Sequence, residues 1–142
     1  MVIKLRQLAL RLGIALAFVI LFAGIFLLLP RHAAESEDIL LAADAAREAW
    51  LNLRGWEVGE PVTAAAQMPE TWQTVRGQQW FTMQHAQGLS PERFAGMEIT
   101  RYIYPLTDDE SGCKYAELWL CGDVLAGAMI YDASSQLMAP VL

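Results

Sequence analysis

The first hydrophobic pattern along the chain is a continuous apolar run near the N-terminus. Residues 12–29 form 18 consecutive positions without a charged side chain, LGIALAFVILFAGIFLLL. At about 1.5 Å per residue, a helix over this run spans about 27 Å, close to the thickness of a hydrocarbon core. The pattern predicts a transmembrane anchor over 12–30, preceded by a basic segment at 1–11 and followed by a linker at 31–38.

A cleaved signal peptide is the alternative interpretation of this run. The apolar region of a signal peptide is normally about 7–15 residues long, and a small-x-small cleavage site follows it. Cleavage after Ala34 would place His32 at a position that requires a small side chain. We therefore expect the helix to be retained as an anchor.

The first helical pattern after the anchor covers Ile39 to Leu53, where apolar residues recur at helical spacing. Ser36 stands where a capping side chain belongs. Gly55 predicts the end of the helix, because glycine adopts the left-handed conformation without a Cβ penalty. Trp56 is then expected to pack back on Leu51, and the residues GWEVGEP are interpreted as a helix stop followed by a short edge strand.

A second helical pattern begins with a proline and an acidic residue, Pro69 and Glu70, which are typical of a first helical turn. Apolar residues at helical spacing continue from Trp72 to Ala86. Gly88 predicts the end of this helix in the same way as the earlier glycine. A short turn is expected over residues 90–96.

The remainder of the chain has a β pattern. Residues 97–104 are rich in β-branched and aromatic side chains, and residues 114–121 and 124–131 flank Gly122-Asp123, which predicts a two-residue hairpin turn. The predicted register pairs Cys121 with Val124, Leu120 with Leu125, Leu118 with Gly127, and Ala116 with Met129. The aliphatic face of this hairpin is expected to receive the helices. Residues 136–142 are expected to add an edge strand or to pack as a tail.

Together these patterns predict an α+β fold. One N-terminal transmembrane helix precedes two helices packed on a small antiparallel sheet of three to four strands, and residues 39–142 form a single domain. The roughly 110 residues after the anchor suffice for one hydrophobic core.

The charge distribution predicts the orientation of the chain. The first 30 residues carry a net charge of +3 and residues 31–142 carry −9, which gives −6 for the whole chain. Because cytoplasmic flanks of membrane spans are enriched in Lys and Arg, the N-terminus is expected in the cytoplasm. The chain then crosses the cell membrane once, and the domain lies on the extracytoplasmic side. A domain this acidic is not expected to bind nucleic acid.

The order of several short motifs resembles a known family. These motifs are GWEV after a helix, a proline-led helix ending in QGLS, FAGMEITRYIYPL, and a hairpin. Residues 47–132 resemble an uncharacterised domain-of-unknown-function family of small, membrane-anchored extracytoplasmic proteins from Gram-positive anaerobes. Members of that family tend to have Gly-Gly-Asp in the last hairpin strand, where this chain has Ala126-Gly127-Ala128. The resemblance implies a fold and a location, and it implies no activity.

Residues that carry chemistry are sparse. The two histidines, His32 and His85, have no second ligand at metal-binding spacing, and no nucleotide-binding or hydrolase motif occurs, so we predict neither a metal nor another cofactor. The acidic run Asp108-Asp109-Glu110 is interpreted as a solvated turn. Along one strand, Cys113 and Cys121 would lie about 26 Å apart, too far for a disulfide.

The candidate binding surface is an aromatic patch on the sheet. Tryptophan and tyrosine favour recognition because they combine a large rigid surface with a polar group. The alternative is that the second helix, through Trp72 and Trp80, covers this face as core. The residues of the predicted patch are Tyr102, Tyr104, Tyr115, Glu117 and Trp119.

The leading functional hypothesis is a membrane-anchored, non-enzymatic interaction or sensory module that binds an envelope protein or a cell-wall component. A pilin-like filament subunit is the second hypothesis, although a prepilin-like cut after Gly13 would need glutamate where Phe18 stands. An envelope enzyme that uses Glu98 and Glu117 as paired acids is a third hypothesis, and it has no motif behind it.

The leading hypothesis predicts that the domain folds without its anchor. A chain truncated to residues 33–142 should be soluble and monodisperse, and it should unfold in a cooperative transition that circular dichroism follows. Aggregation or absence of a transition would contradict an autonomous module.

Overall fold

The computed structural model describes residues 37–142, so the predicted basic segment, the transmembrane helix, most of the linker and the Ser36 cap lie outside the described residues. The described elements in chain order are α1 (Asp44–Asn52), β1 (Val62–Gln67), α2 (Val75–Ala86), a 3-10 helix (Pro91–Phe94), β2 (Glu98–Pro105), β3 (Lys114–Cys121), β4 (Val124–Asp132) and β5 (Leu137–Ala139). Neither α1 nor α2, the two α-helices in this part of the chain, has the length and hydrophobicity that a membrane span needs.

The five strands form one antiparallel sheet in the order β1-β2-β3-β4-β5. Together with the two helices, the sheet confirms the α+β prediction, but it has five strands instead of three to four. The strand missing from the prediction is β1, VTAAAQ, which pairs with β2 from Val62 opposite Ile103 to Gln67 opposite Glu98. Alanine has a low β propensity, so only pairing with β2 defines this strand. The predicted edge strand at 57–60 is reduced to one bridge, between Val58 and Leu106.

The first helix begins later than its apolar pattern predicts. Ile39 and Leu41 lie in an extended segment: the Leu41 N–H donates to the Asp123 carbonyl over 2.8 Å, and the Leu125 N–H donates to the Ile39 carbonyl over 2.9 Å. Because this segment pairs with the beginning of β4, α1 starts only at Asp44.

The predicted end of the first helix is confirmed. Gly55 has a φ of +87°, and the Trp56 N–H donates to the Leu51 carbonyl over 3.2 Å. Trp56 packs against the same cluster that buries Leu51, and its indole N–H donates to the Val141 carbonyl over 2.9 Å. The residues GWEV thus tie the helix to the C-terminal tail.

The second helix also begins later than predicted, at Val75, where Thr74 accepts a hydrogen bond from the Gly77 N–H. The prediction that Pro69 leads the helix is therefore wrong. The fully buried Met68 donates its N–H to the Met97 carbonyl, which keeps the chain extended beyond β1. The predicted end at Gly88 is confirmed by its φ of +77°.

The hairpin of β3 and β4 confirms the predicted turn and the first two pairs, Cys121 with Val124 and Leu120 with Leu125. Beyond these pairs the register shifts by one residue, because Trp119 pairs with Gly127 and leaves Ala126 as an extra residue in a bulge. The two predicted pairs beyond this point are wrong: Leu118 lies opposite Ala128, and Ala116 lies opposite Ile130. Both cysteines are free, as the spacing predicts.

The two faces of the sheet carry separate cores. The face that includes Tyr104, Leu118 and Ile130 packs with Trp50 and Leu51 of α1. The other face, which includes Trp119 and Met129, packs with Trp80 of α2. Since side chains alternate along a strand, this division follows from the register. The expectation that both helices share the aliphatic face is corrected.

A tight turn leads from β4 to β5. Asp132 accepts hydrogen bonds from the Ser134 hydroxyl over 2.6 Å and from the Ser134 and Ser135 N–H groups. These bonds, the Ser134 hydroxyl first, lower the pKa of Asp132 to about 2. Gln136 closes the turn with a φ of +58°, and Leu137 and Met138 follow it in β5.

The side chain of Arg47 on α1 is almost fully buried, with 4% of its surface exposed. It donates to the Leu41 and Ala42 carbonyls over 2.8 Å each and to the Tyr104 hydroxyl over 3.1 Å, and it pairs with Asp44. Arg47 therefore joins the extended segment, the helix and the sheet.

We expect Arg47→Met to lower the free energy of unfolding by about 3 kcal/mol, because it leaves buried carbonyls and a hydroxyl without a donor. Urea denaturation of the full-length chain measures this change. Arg76→Met, at an exposed position, removes the same charge and should change stability by no more than about 0.5 kcal/mol. Equal effects of the two substitutions would contradict a structural role for Arg47.

Candidate functional site

A cleft lies between α2, the segment before it, and the α2-facing side of the sheet. Its volume is about 430 Å³, within the range of sites for small molecules. Aromatic, cationic and apolar side chains form its walls. The lining residues are Pro69, Trp72, Thr74, Arg76, Gly77, Trp80, Arg101, Glu117, Trp119, Met129, Tyr131 and Met138.

Three tryptophans form one wall of the cleft. The ring centroids of Trp80 and Trp119 are 4.7 Å apart, and those of Trp72 and Trp80 are 6.4 Å apart with an interplanar angle of 12°. Phe81 supports Trp72 from behind at 4.7 Å. Trp80 is buried, whereas Trp72 and Trp119 are half-buried. The wall therefore presents indole surface to the cleft and anchors it in the core.

Gly127 makes room for this wall. A Cβ atom at Gly127 would lie 2.7 Å from Cζ2 and 3.2 Å from Cη2 of Trp80. Glycine in the middle of β4 thus lets the indole of Trp80 approach the backbone of the sheet.

A buried carboxylate lies beside the tryptophans. Only 6% of the Glu117 side chain is exposed, and its Oε2 accepts hydrogen bonds from Arg101 Nη2 over 2.7 Å, from Arg101 Nε over 3.2 Å, and from Trp119 Nε1 over 3.1 Å. The guanidinium of Arg101 also lies 5.4 Å from the centroid of the Trp119 ring. The ion pair fixes the Trp119 ring and neutralises both charges.

A second cation, Arg76, stands at the rim of the cleft. Its side chain is exposed, and its guanidinium carbon lies 5.7 Å from the centroid of the Tyr131 ring. No ion pair of Arg76 occurs within residues 37–142. With Arg101 matched by Glu117, Arg76 gives the cleft a positive charge.

Two indole N–H groups of the wall, those of Trp72 and Trp80, are buried without a hydrogen-bond partner. A buried donor left unpaired costs about 1–3 kcal/mol. Both residues line the cleft. A ligand in the cleft that carries an acceptor could pair with such a donor where the indole ring turns toward it.

The structure divides the predicted patch. Glu117 and Trp119 line the cleft, and Tyr115 lies on the same face but donates its hydroxyl to the Gly112 carbonyl instead of lining the cavity. Tyr102 and Tyr104 lie on the other face of the sheet, where their cross-strand partners are Leu118 and Ala116. Tyr104 is fully buried, and its burial raises the pKa of the hydroxyl. The five residues therefore do not form one surface.

Sequence reasoning missed Arg76, Arg101 and Tyr131 as residues of the site. It assigned Trp72 and Trp80 only to a helix that would cover the sheet. Alternation along β2 places Arg101 on one face of its strand, but only the register with β3 brings it opposite Trp119. That register depends on the loop between the strands, and no sequence signal fixes it.

Other predicted chemical groups do not converge on the cleft. His85 lies 3.1 Å from Glu92 on the surface. Asp109 caps its own turn by accepting from the Ser111 hydroxyl and from the Cys113 and Lys114 N–H groups, which lowers its pKa. Ile103 of β2 is the cross-strand partner of Glu117, so the two share a face of the sheet. Glu98 is five residues before Ile103 on the same strand and therefore lies on the other face. Glu98 and Glu117 thus lie on opposite faces of the sheet. His32 lies outside the described residues.

Comparison with protein-family models, with curated proteins and with solved structures finds no match for this chain. The family resemblance of residues 47–132 stays a prediction.

We expect Gly127→Ala to displace Trp80 and to lower the free energy of unfolding by about 1–3 kcal/mol, as overpacking of a core does. Near-ultraviolet circular dichroism, which reports coupled indole rings, should change at the same time. Gly59→Ala, whose added Cβ would lie 3.2 Å from the nearest atom, Cγ of Pro105, is the control and should leave the spectrum unchanged. An unaltered spectrum for Gly127→Ala would contradict the packing of the wall.

Proposed function

We propose that the chain is a single-pass, membrane-anchored binding module at the cell envelope, and that its ligand occupies the cleft between α2 and the sheet. The observation that carries the proposal is the combination of indole surface and the free cation Arg76 in one cavity, two of whose lining residues also have unpaired indole donors. Enclosed aromatic surface with a few placed polar groups is the common composition of a small-ligand site.

The polar groups of the cleft support binding over a purely structural role. The ion pair between the buried Glu117 and the half-buried Arg101 adds little net stability, because desolvation of the carboxylate offsets the attraction of the charges. Apolar residues would fill the same space at least as favourably. A carboxylate that holds Arg101 and Trp119 in place is instead suited to keeping a recognition surface rigid before a ligand arrives.

The proposed location is supported by the sequence outside the described residues. The apolar run at 12–29 is long enough to span a bilayer, and the basic residues precede it. The linker that separates this run from the domain is short. We infer that the cleft lies outside the cytoplasm, where an envelope protein or a cell-wall component can reach it.

Site-specific photo-crosslinking in intact cells tests the proposal. A photoreactive residue replaces Pro69, which is exposed and lines the cleft, in the full-length chain, so that Arg76 stays in place. The matched control carries the same residue at Leu53, which is 85% exposed and belongs to the turn after α1. Mass spectrometry identifies the adducts after irradiation.

We expect a discrete foreign adduct at position 69 and none at position 53. The same adducts at both positions would show contact by proximity alone and would contradict a binding cleft. A ladder of self-adducts at position 69 would favour the filament-subunit hypothesis instead. Absence of any adduct at position 69 would also count against the proposal.

A further inference from the structure

We infer that the ligand of the cleft is an organic anion in which a carboxylate is attached to a ring. This inference rests on the proposed function and specifies its ligand class. The carboxylate would pair with Arg76, and the ring would lie against the indole wall. An aromatic acid and a sugar acid share this chemistry.

The charge distribution of the domain favours an anion. Residues 37–142 contain six basic and fifteen acidic side chains, so the surface as a whole repels negative ligands. The cleft is an exception, because Glu117 neutralises Arg101 and leaves Arg76 without an opposing charge. Arginine presents a planar fork of donors that matches a carboxylate. An anion is therefore attracted to this cavity although the domain is acidic.

The unpaired polar atoms of the cleft favour a ligand rich in acceptors. Among the residues that line the cavity, the buried side-chain atoms without a partner are Nε1 of Trp72 and Nε1 of Trp80, and both are donors that cannot accept. Protein atoms cover both nitrogens, so a ligand oxygen reaches them only if an indole ring turns. Trp72 is half-buried and precedes α2, and it is the ring with more freedom to turn.

The apolar walls favour a ring beside the charge. Trp72, Trp119 and Met129 line the same cavity as Arg76. A volume of about 430 Å³ accommodates a single ring with short substituents. A second groove of about 620 Å³, lined by Val75, Met83 and Leu137, also reaches Arg76 and gives room for a substituent on that ring. Arg76 thus stands between two apolar surfaces.

Indole N–H signals provide a direct test in the full-length chain, labelled with ¹⁵N-tryptophan and purified in detergent. The chain has five tryptophans. Trp72, Trp80 and Trp119 line the cleft, while Trp50 and Trp56 pack on the other face and act as internal controls. Phenylacetate with phenylacetamide, and glucuronate with glucose, are two probe pairs in which only one member carries a carboxylate.

We expect at least one carboxylate probe to shift the Trp72 and Trp80 signals, and its neutral counterpart to shift them far less. The pair that responds identifies an aromatic or a sugar acid. Arg76→Gln should weaken binding of that probe by about 10-fold. Arg54→Gln, which removes a cation stacked 3.6 Å from the Trp50 ring, should leave the affinity unchanged.

Equal shifts from charged and neutral probes would overturn the inference, as would an unchanged affinity in Arg76→Gln or the absence of any shift at millimolar concentration. If the probes fail while position 69 still cross-links to a discrete partner, the ligand class is wrong and the binding module stands. If both experiments fail, the proposed function is wrong as well.

Discussion

The outer edge of β4 is the constraint on which the rest of the domain depends, because its backbone groups are paired by three different parts of the chain. The segment at 39–41 pairs with the beginning of the strand, and β5 pairs with its end. Between them, Gln84 accepts from the Ala128 N–H over 2.8 Å, and Gln87 donates to the Ala128 carbonyl over 3.1 Å. Buried backbone groups must be paired, so these contacts fix the places of both helices.

Two glutamines hold the C-terminal end of α2 against the sheet. Gln84 in the helix and Gln87 just beyond it are buried, and Gln87 accepts from the Val141 N–H over 2.7 Å. The residues of α2 that line the cleft are Arg76, Gly77 and Trp80, and all of them precede these glutamines. The end of α2 that the glutamines pair is therefore structural, and the cleft lies along the other half of the helix.

Local signals predicted well what depends on neighbouring residues. Gly55 and Gly88 marked both helix ends, because a left-handed φ is a property of one residue and its immediate turn. The prediction failed where a distant partner decides the structure. The alanines of β1 form a strand only beside β2, and the bulge at Ala126 changes the pairing beyond the turn. Of the residues that line the cleft, the predicted patch contained only Glu117 and Trp119, since the others come from elements whose register the sequence does not encode locally.

The side-chain networks around Arg47 and Glu117 differ between the two faces of the sheet. Arg47 donates to two carbonyls and the Tyr104 hydroxyl and pairs with Asp44, so its hydrogen-bonding groups are used within the fold. On the other face, Glu117 engages the half-buried Arg101 through one oxygen, while Trp72 and Trp80 keep unpaired donors nearby. A network that needs nothing further stabilises a fold. The donors of Trp72 and Trp80 belong to residues that line a cavity, so a ligand oxygen that reaches them after an indole ring turns would add hydrogen bonds that the fold itself does not make.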